Sequence, residues 1–228
     1  MALIPPLASI PLSVVAYFAA FMITFCASKA APDIASDEWG VNVPIFTMIR
    51  YLLFLILFSY WYIMVFVKEK KTDIFDSIKK RFTVIKKPVL LLLLIPAGYI
   101  MQFLITHLMR LLTTSFPELM KDYNTNVGSL ITGNVSVILL ITSVLISPIA
   151  EEILFRGLTQ KYAEKAAGAL PAVFIQAVLF GLYHMNLVQG IAALFFGIIF
   201  GFMAKKSKSL VPSIILHAVF NLSAYLIP

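Results

Sequence analysis

The sequence predicts an all-α, polytopic membrane bundle of about seven transmembrane helices, and three observations carry that expectation. Of the 228 residues, 61% are hydrophobic and only 13% charged, where an ordinary soluble domain is roughly half apolar and about a quarter charged. The mean hydropathy is +0.94, more apolar material than a water-soluble core on so short a chain can enclose. The apolar residues also run on in long unbroken stretches, whereas a membrane barrel would alternate over short ones. A cytosolic globule, a disordered tail and a barrel are therefore excluded. The chain is read as a single membrane domain, 1–228.

A spanning helix needs about 20 mostly apolar residues. Seven stretches meet or approach that length: about 8–28, 46–67, 88–112, 134–160, 169–187, 188–204 and 210–227. The first ends near a small-residue run, as a signal peptide would. Its start, Met1 to Pro6, has no Lys or Arg, so it is read as a retained helix.

Loop charges orient the bundle. Residues 29–44 hold Lys29 against Asp33, Asp37 and Glu38, and 113–133 hold Lys121 against Glu118 and Asp122. Residues 68–87 instead hold eight basic side chains and three acids, and Lys161, Lys165, Lys205, Lys206 and Lys208 make the later inner turns basic. The signs alternate as the positive-inside rule requires, with the N-terminus in and the C-terminus out. Residues 72–87 have the pattern of an interfacial amphipathic helix, an eighth helix beside the seven, with Ile74, Phe75, Ile78, Phe82 and Ile85 on one side.

The formal charge of +7 comes from these loop residues, which explains it without nucleic acid. The one cysteine, Cys26, excludes an internal disulfide and a thiolate metal cluster. No Gly-rich phosphate loop, His-Glu-x-x-His pair or Gly-x-Ser-x-Gly elbow is present.

Ionisable groups at bilayer depth are costly, so those inside the spans are the functional candidates. The fourth span carries Glu151 and Glu152, followed by Arg156. Glu152 and Arg156 stand four apart with the acid first, the favourable order for a helical ion pair. Glu151 points about 100° away from its neighbour and has no such local partner. The fifth span ends in Phe180-x-x-x-His184, and the seventh holds His217-x-x-x-Asn221 on one face.

Depth connects the three. With a hairpin turn near 167–168, Glu151 and His184 both lie roughly 25 Å along their helices from it. An inner turn near 207 sets His217 and Asn221 roughly 15–21 Å in, a difference that helix tilt absorbs. Such a pocket suits hydrolysis. A carboxylate out of bulk water is a useful general base. An imidazole can hold a water or give a proton to a leaving amine. An amide and a second imidazole can donate to an oxyanion. Alternatively, Glu151, His184 and His217 make a three-ligand zinc set.

Glu151-Glu152-x-x-x-Arg156, Phe180-x-x-x-His184 and His217-x-x-x-Asn221 resemble, in this order, the motifs of the CPBP family of intramembrane endopeptidases. That family includes the type II CAAX prenyl proteases and the bacterial Abi proteins. The resemblance covers about residues 134–225, and 134–227 would be the catalytic helices. It implies a peptidase in which Glu151 activates water, assisted by His184, His217 and Asn221, with Glu152 and Arg156 in support. It admits both a metal-dependent and a glutamate-dependent mechanism, and Asn221 inclines the reading to the latter. A further family pattern is met at Gly197 and Gly201, though Leu194 replaces its aromatic residue. The substrate implied is a membrane-anchored or hydrophobic peptide, in some relatives prenylated, and the short chain resembles the type found in prokaryotic cytoplasmic membranes.

The remaining polar and bulky residues carry plainer readings. Gln102, His107 and Arg110 in the third span are read as packing residues or a polar cluster at its outer end, and the phenylalanines and methionines as filler and lipid-facing side chains. Two other function classes stay open: a non-catalytic membrane protein acting in bacteriocin immunity or peptide binding, and a small ion-coupled transporter. The latter is disfavoured by the lack of an inverted repeat.

Overall fold

A computed structural model describes residues 3–28, 42–67, 88–125 and 137–227, and among them the regular elements are eight helices and no strand. They are α1 (Ile4–Ser28), α2 (Val43–Tyr62, continued by a π-turn at Ile63–Val67), α3 (Pro88–Ser115) and the short α4 (Pro117–Tyr123). After them come α5 (Val137–Ala167), α6 (Ala169–Tyr183), α7 (Leu187–Ser207) and α8 (Val211–Ala224). The interfacial helix expected over 72–87 lies outside the described residues.

Five of these helices, α1, α2, α3, α5 and α7, are long and apolar enough to cross a membrane. The expectation of seven full spans needs correcting at α6 and α8, which are apolar but only 15 and 14 residues long. At about 1.5 Å per residue they cover roughly 21–23 Å of a hydrocarbon layer about 30 Å thick. Turn geometry cuts them short. Gly168 (φ 84°) breaks the chain between α5 and α6, a turn at 184–186 closes α6, and Lys208 (φ 55°) ends α7 in the left-handed region.

The central post is α5, which packs against α1, α2, α6, α7 and α8. It is not a uniform α-helix. Pro148 has no N–H to give the preceding turn, and a π-turn at Thr142–Ile146 precedes it, with the Ser147 N–H reaching back to the Thr142 carbonyl. A second π-turn spans Ile153–Thr159, where the Gln160 N–H bonds to the Phe155 carbonyl. Widened turns of this kind re-aim the side chains that follow and concentrate at functional sites.

The hydrophobic core is the seam between α2 and α5. Tyr51, Phe54, Phe58 and Tyr62 recur at helical spacing on α2 and are buried with Ala150, Ile153, Leu154, Phe155 and Leu158 of α5. The opposite face of α2 turns Ile56 and Tyr60 outward, as a lipid-facing surface would. The tightest contact lies between α6 and α7. A Cβ on Gly181 would meet the Gly190 carbonyl oxygen at 2.6 Å, and one on Gly197 would meet the Ala177 Cα at 2.9 Å. Small residues let two backbones approach this closely, and at Gly197 and Gly201 the contact is made within the chain.

Candidate active site

The polar interior starts at α5. Glu151 and Glu152 are both buried, with only 4% and 0% of their surface exposed. They face different neighbours because consecutive helical residues point about 100° apart.

Glu152 has the ion pair expected of it and one contact more. Its Oε1 accepts from Arg156 Nη1 at 2.9 Å and from His217 Nδ1 at 3.2 Å. Arg156 is wholly enclosed. Its Nη2 donates to the Gly197 carbonyl at 3.4 Å, and its guanidinium lies over the rings of Phe180 (4.5 Å) and Phe200 (5.1 Å). Aromatic faces and a carboxylate offset part of the cost of a buried cation where water cannot reach. The pair therefore holds α5 to α7 and, through His217, to α8.

Glu151 is not isolated, as the sequence had suggested. Tyr51 of α2 donates to its Oε1 at 2.5 Å, a contact across 100 residues of chain. Its other oxygen, Oε2, faces His217 Nε2 at 3.8 Å. That distance is too long for a direct hydrogen bond. It is short enough for one oxygen atom to lie within bonding reach of both. Each partner is fixed from behind, Glu151 by Tyr51 and His217 by Glu152. With Nδ1–H donating to Glu152, Nε2 is left as a lone-pair acceptor. The imidazole also stacks on Phe200 at 5.1 Å and takes the edge of Phe180 at 6.1 Å, which sets its plane.

His184 sits at the C-terminal end of α6, half-buried, with Nδ1 bonded to the Phe180 carbonyl at 2.8 Å and its ring against Phe180 at 4.8 Å. Glu151, His217 and Arg156 all lie within its electrostatic reach. Asn221 is one turn beyond His217, but its Nδ2 donates to the Ser143 carbonyl of α5 at 2.8 Å. Ser143 in turn bonds the Tyr225 hydroxyl at 2.8 Å. The four expected catalytic residues thus divide. Glu151 and His217 confront each other, His184 stands alongside, and Asn221 ties α8 to α5.

Among the described residues, no three of His, Cys, Asp and Glu are grouped so as to hold a metal ion. His217 directs its two nitrogens at two different carboxylates, and His184 spends Nδ1 on its own helix. In each ring Nε2 is the nitrogen not held by the Phe180 carbonyl or by Glu152.

Sequence reasoning missed the contribution of α2. Arg50 lies over the Tyr51 ring at 4.8 Å, and Arg50 and Tyr183 are both close enough to couple electrostatically to Glu151. The available signal was Arg50 itself, an arginine inside a stretch long enough to span. Gln176 was missed too. It is fully buried on α6 and donates to the Gly197 carbonyl at 2.7 Å, the same carbonyl that Arg156 reaches. In the cluster at 102–110 only Gln102 is buried, and it bonds Thr106; His107 and Arg110 are exposed, and His107 bonds the Phe103 carbonyl on its own helix.

Residues 133–223, less than half of the chain, match the family described as Type II CAAX prenyl endopeptidase Rce1-like. No curated protein and no solved structure gave a significant match. The matched segment contains every expected catalytic residue and the whole of α5 to α8 up to Ser223.

Proposed function

We propose, from the match of residues 133–223 to the Rce1-like type II CAAX prenyl endopeptidases, that this chain is an intramembrane endopeptidase using Glu151 as its general base. The observation that carries this reading is the 3.8 Å separation of Glu151 Oε2 and His217 Nε2, each backed by a fixed partner. A water donating one hydrogen to each acceptor would present its lone pair outward, toward a peptide carbonyl carbon. Glu151 takes the proton as the C–O bond forms, and the carbonyl oxygen becomes an oxyanion. Asn221, whose amide has a second N–H beyond the one given to Ser143, and His184 are the donors assigned to that oxyanion. On collapse the C–N bond breaks and the proton passes to the leaving amine, with His184 as the relay. Glu152 and Arg156 act through His217, as positioning residues. The step is written with Glu151 and His217 holding the water directly, as their 3.8 Å separation allows.

The substrate class follows from depth. Glu151 and His217 sit within helices that cross or enter the bilayer, so the scissile bond must reach them there. That favours membrane-anchored or hydrophobic peptides, prenylated ones among them. Loop charge supports an integral protein with its N-terminus on the cytoplasmic side of the membrane.

The test compares membranes containing the wild type with membranes containing Glu151→Gln at matched expression, by mapping all new peptide termini. The expected result is a set of termini in membrane-anchored proteins that the variant loses, with rates down at least about a hundredfold for removal of a general base. Identical termini in both, with the phenotype intact in the variant, would replace this reading with the non-catalytic one.

A further inference from the structure

We propose that the crevice between the end of α5 and the α7–α8 turn binds the phosphate of an anionic lipid headgroup. The crevice is shallow and open at its mouth, and Arg156, Gln160, Lys161, Lys205, Lys208 and Ser209 line it. Its floor is built from enclosed polar side chains. Arg156 is 1% and Gln160 2% exposed, and Arg156 Nε and Gln160 Oε1 have no hydrogen-bond partner among the described residues. A buried polar atom left unpaired in this way is costly unless something completes it.

The charge around the crevice is unbalanced in the same sense. Four cations line it and no carboxylate does. Two carboxylates stand behind those cations: Glu152 pairs with Arg156, and Glu164 pairs with both Lys161 and Lys205. Two positive charges therefore remain. Lys208 is held at the rim by a left-handed backbone (φ 55°) with its side chain exposed. The start of α8 adjoins the same crevice at Ser209 and Leu210, adding the positive end of a helix dipole.

Position selects the lipid over a free ion. The crevice lies where α7 reaches its last turn and α5 is within roughly three turns of its end; both helices are long enough to span, and their last turns carry Lys165, Lys205 and Lys206. Phosphate headgroups occupy this level of a bilayer. Tyr62, Ala204 and Leu210 form an apolar wall beside the basic groups, which suits a tethered acyl chain and gives nothing to inorganic phosphate. The unpaired Gln160 Oε1 is an acceptor, matching a headgroup with a free hydroxyl. The site uses no reacting atom of the proposed peptidase, so Glu151→Gln would retain it.

The test uses the full chain in phosphatidylcholine nanodiscs with and without added phosphatidylglycerol, following lipid retention by native mass spectrometry and thermal unfolding. Lys208→Asn removes the charge while keeping a residue that tolerates the left-handed backbone. Lys206→Asn, exposed and outside the crevice, is the control. The expected result is retention and a raised Tm with phosphatidylglycerol, weakened about tenfold in Lys208→Asn for one lost charge-assisted hydrogen bond, and unchanged in Lys206→Asn. Ala204→Leu, which fills the crevice at constant charge, is expected to lose the lipid as well. Equal weakening in both lysine variants, or no phosphatidylglycerol dependence in the wild type, would overturn the proposal. Equal protection by inorganic phosphate in phosphatidylcholine alone would overturn its lipid assignment.

Discussion

Helices α1, α2 and α3 are about as apolar as α5 and α7, yet the two groups are used differently. Only 17–18% of the apolar window of each of the first three is buried inside the protein, against 44% for α5 and 39% for α7. The buried serine, threonine, glutamine, histidine and charged side chains follow that division: among the described residues all but Ser9 and Gln102 lie from α5 onward. Lipid cannot hydrogen-bond a polar group, whereas a neighbouring helix can. Hydrophobicity alone therefore does not reveal which helices carry chemistry. The informative quantity is how far a helix is wrapped by others. Tyr51 and Arg50 are the instructive exceptions, reaching the site from the inward face of a helix that is otherwise mostly lipid-exposed.

Four substitutions can break or sharpen this contrast. The largest effect is expected from Arg156→Met, which strands the Glu152 charge in an enclosed site. It should cost about 3–5 kcal/mol, read from denaturant unfolding in detergent, and a loss within experimental error of zero would mean that the pair is not what holds α5 to α7. Tyr51→Phe comes next. Losing a hydrogen bond to a buried carboxylate costs about 1.5–3 kcal/mol, and the variant's cleavage rate should fall with Glu151 left unanchored on one side. An unchanged rate would separate Tyr51 from the site. Gly181→Ala forces a methyl group against the Gly190 carbonyl and should cost about 1–3 kcal/mol. A Tm equal to the wild type would show that α6 and α7 can slide apart without penalty. Ile56→Ala on the outward face of α2 should change stability by less than about 0.5 kcal/mol. If it matches Gly181→Ala, the division into shell and core fails.

Much of the bundle was legible because its signals are local. Long apolar runs mark α1 to α3, α5 and α7, and the glycine at 168 and the lysine-rich turn at 205–208 fall where the chain reverses. The lengths of α6 and α8 were overestimated because averaged hydropathy does not register the short turn at His184–Asn186, and because apolar Tyr225, Leu226 and Ile227 follow the end of α8. In the candidate site, the Glu152–Arg156 pair was readable since it is a contact of one helical turn. The contacts that set the geometry were not, because they join distant segments: Tyr51 to Glu151, His217 to Glu152, Asn221 to Ser143. Nothing in the spacing of His217 tells which of two adjacent acids each of its nitrogens will meet.

The imidazole of His217 is the one ring that touches both acids. It is a rigid five-membered plate, so its two nitrogens cannot be adjusted separately. A rotation of α8 that draws Nδ1 toward Glu152 swings Nε2 relative to Glu151, and the gap between them opens or closes as a jaw does. Arg156, clamped to α7 through the Gly197 carbonyl, is the fixed arm of that jaw. The register of α8 against α7 is thereby geared to the spacing at which Glu151 and His217 face each other.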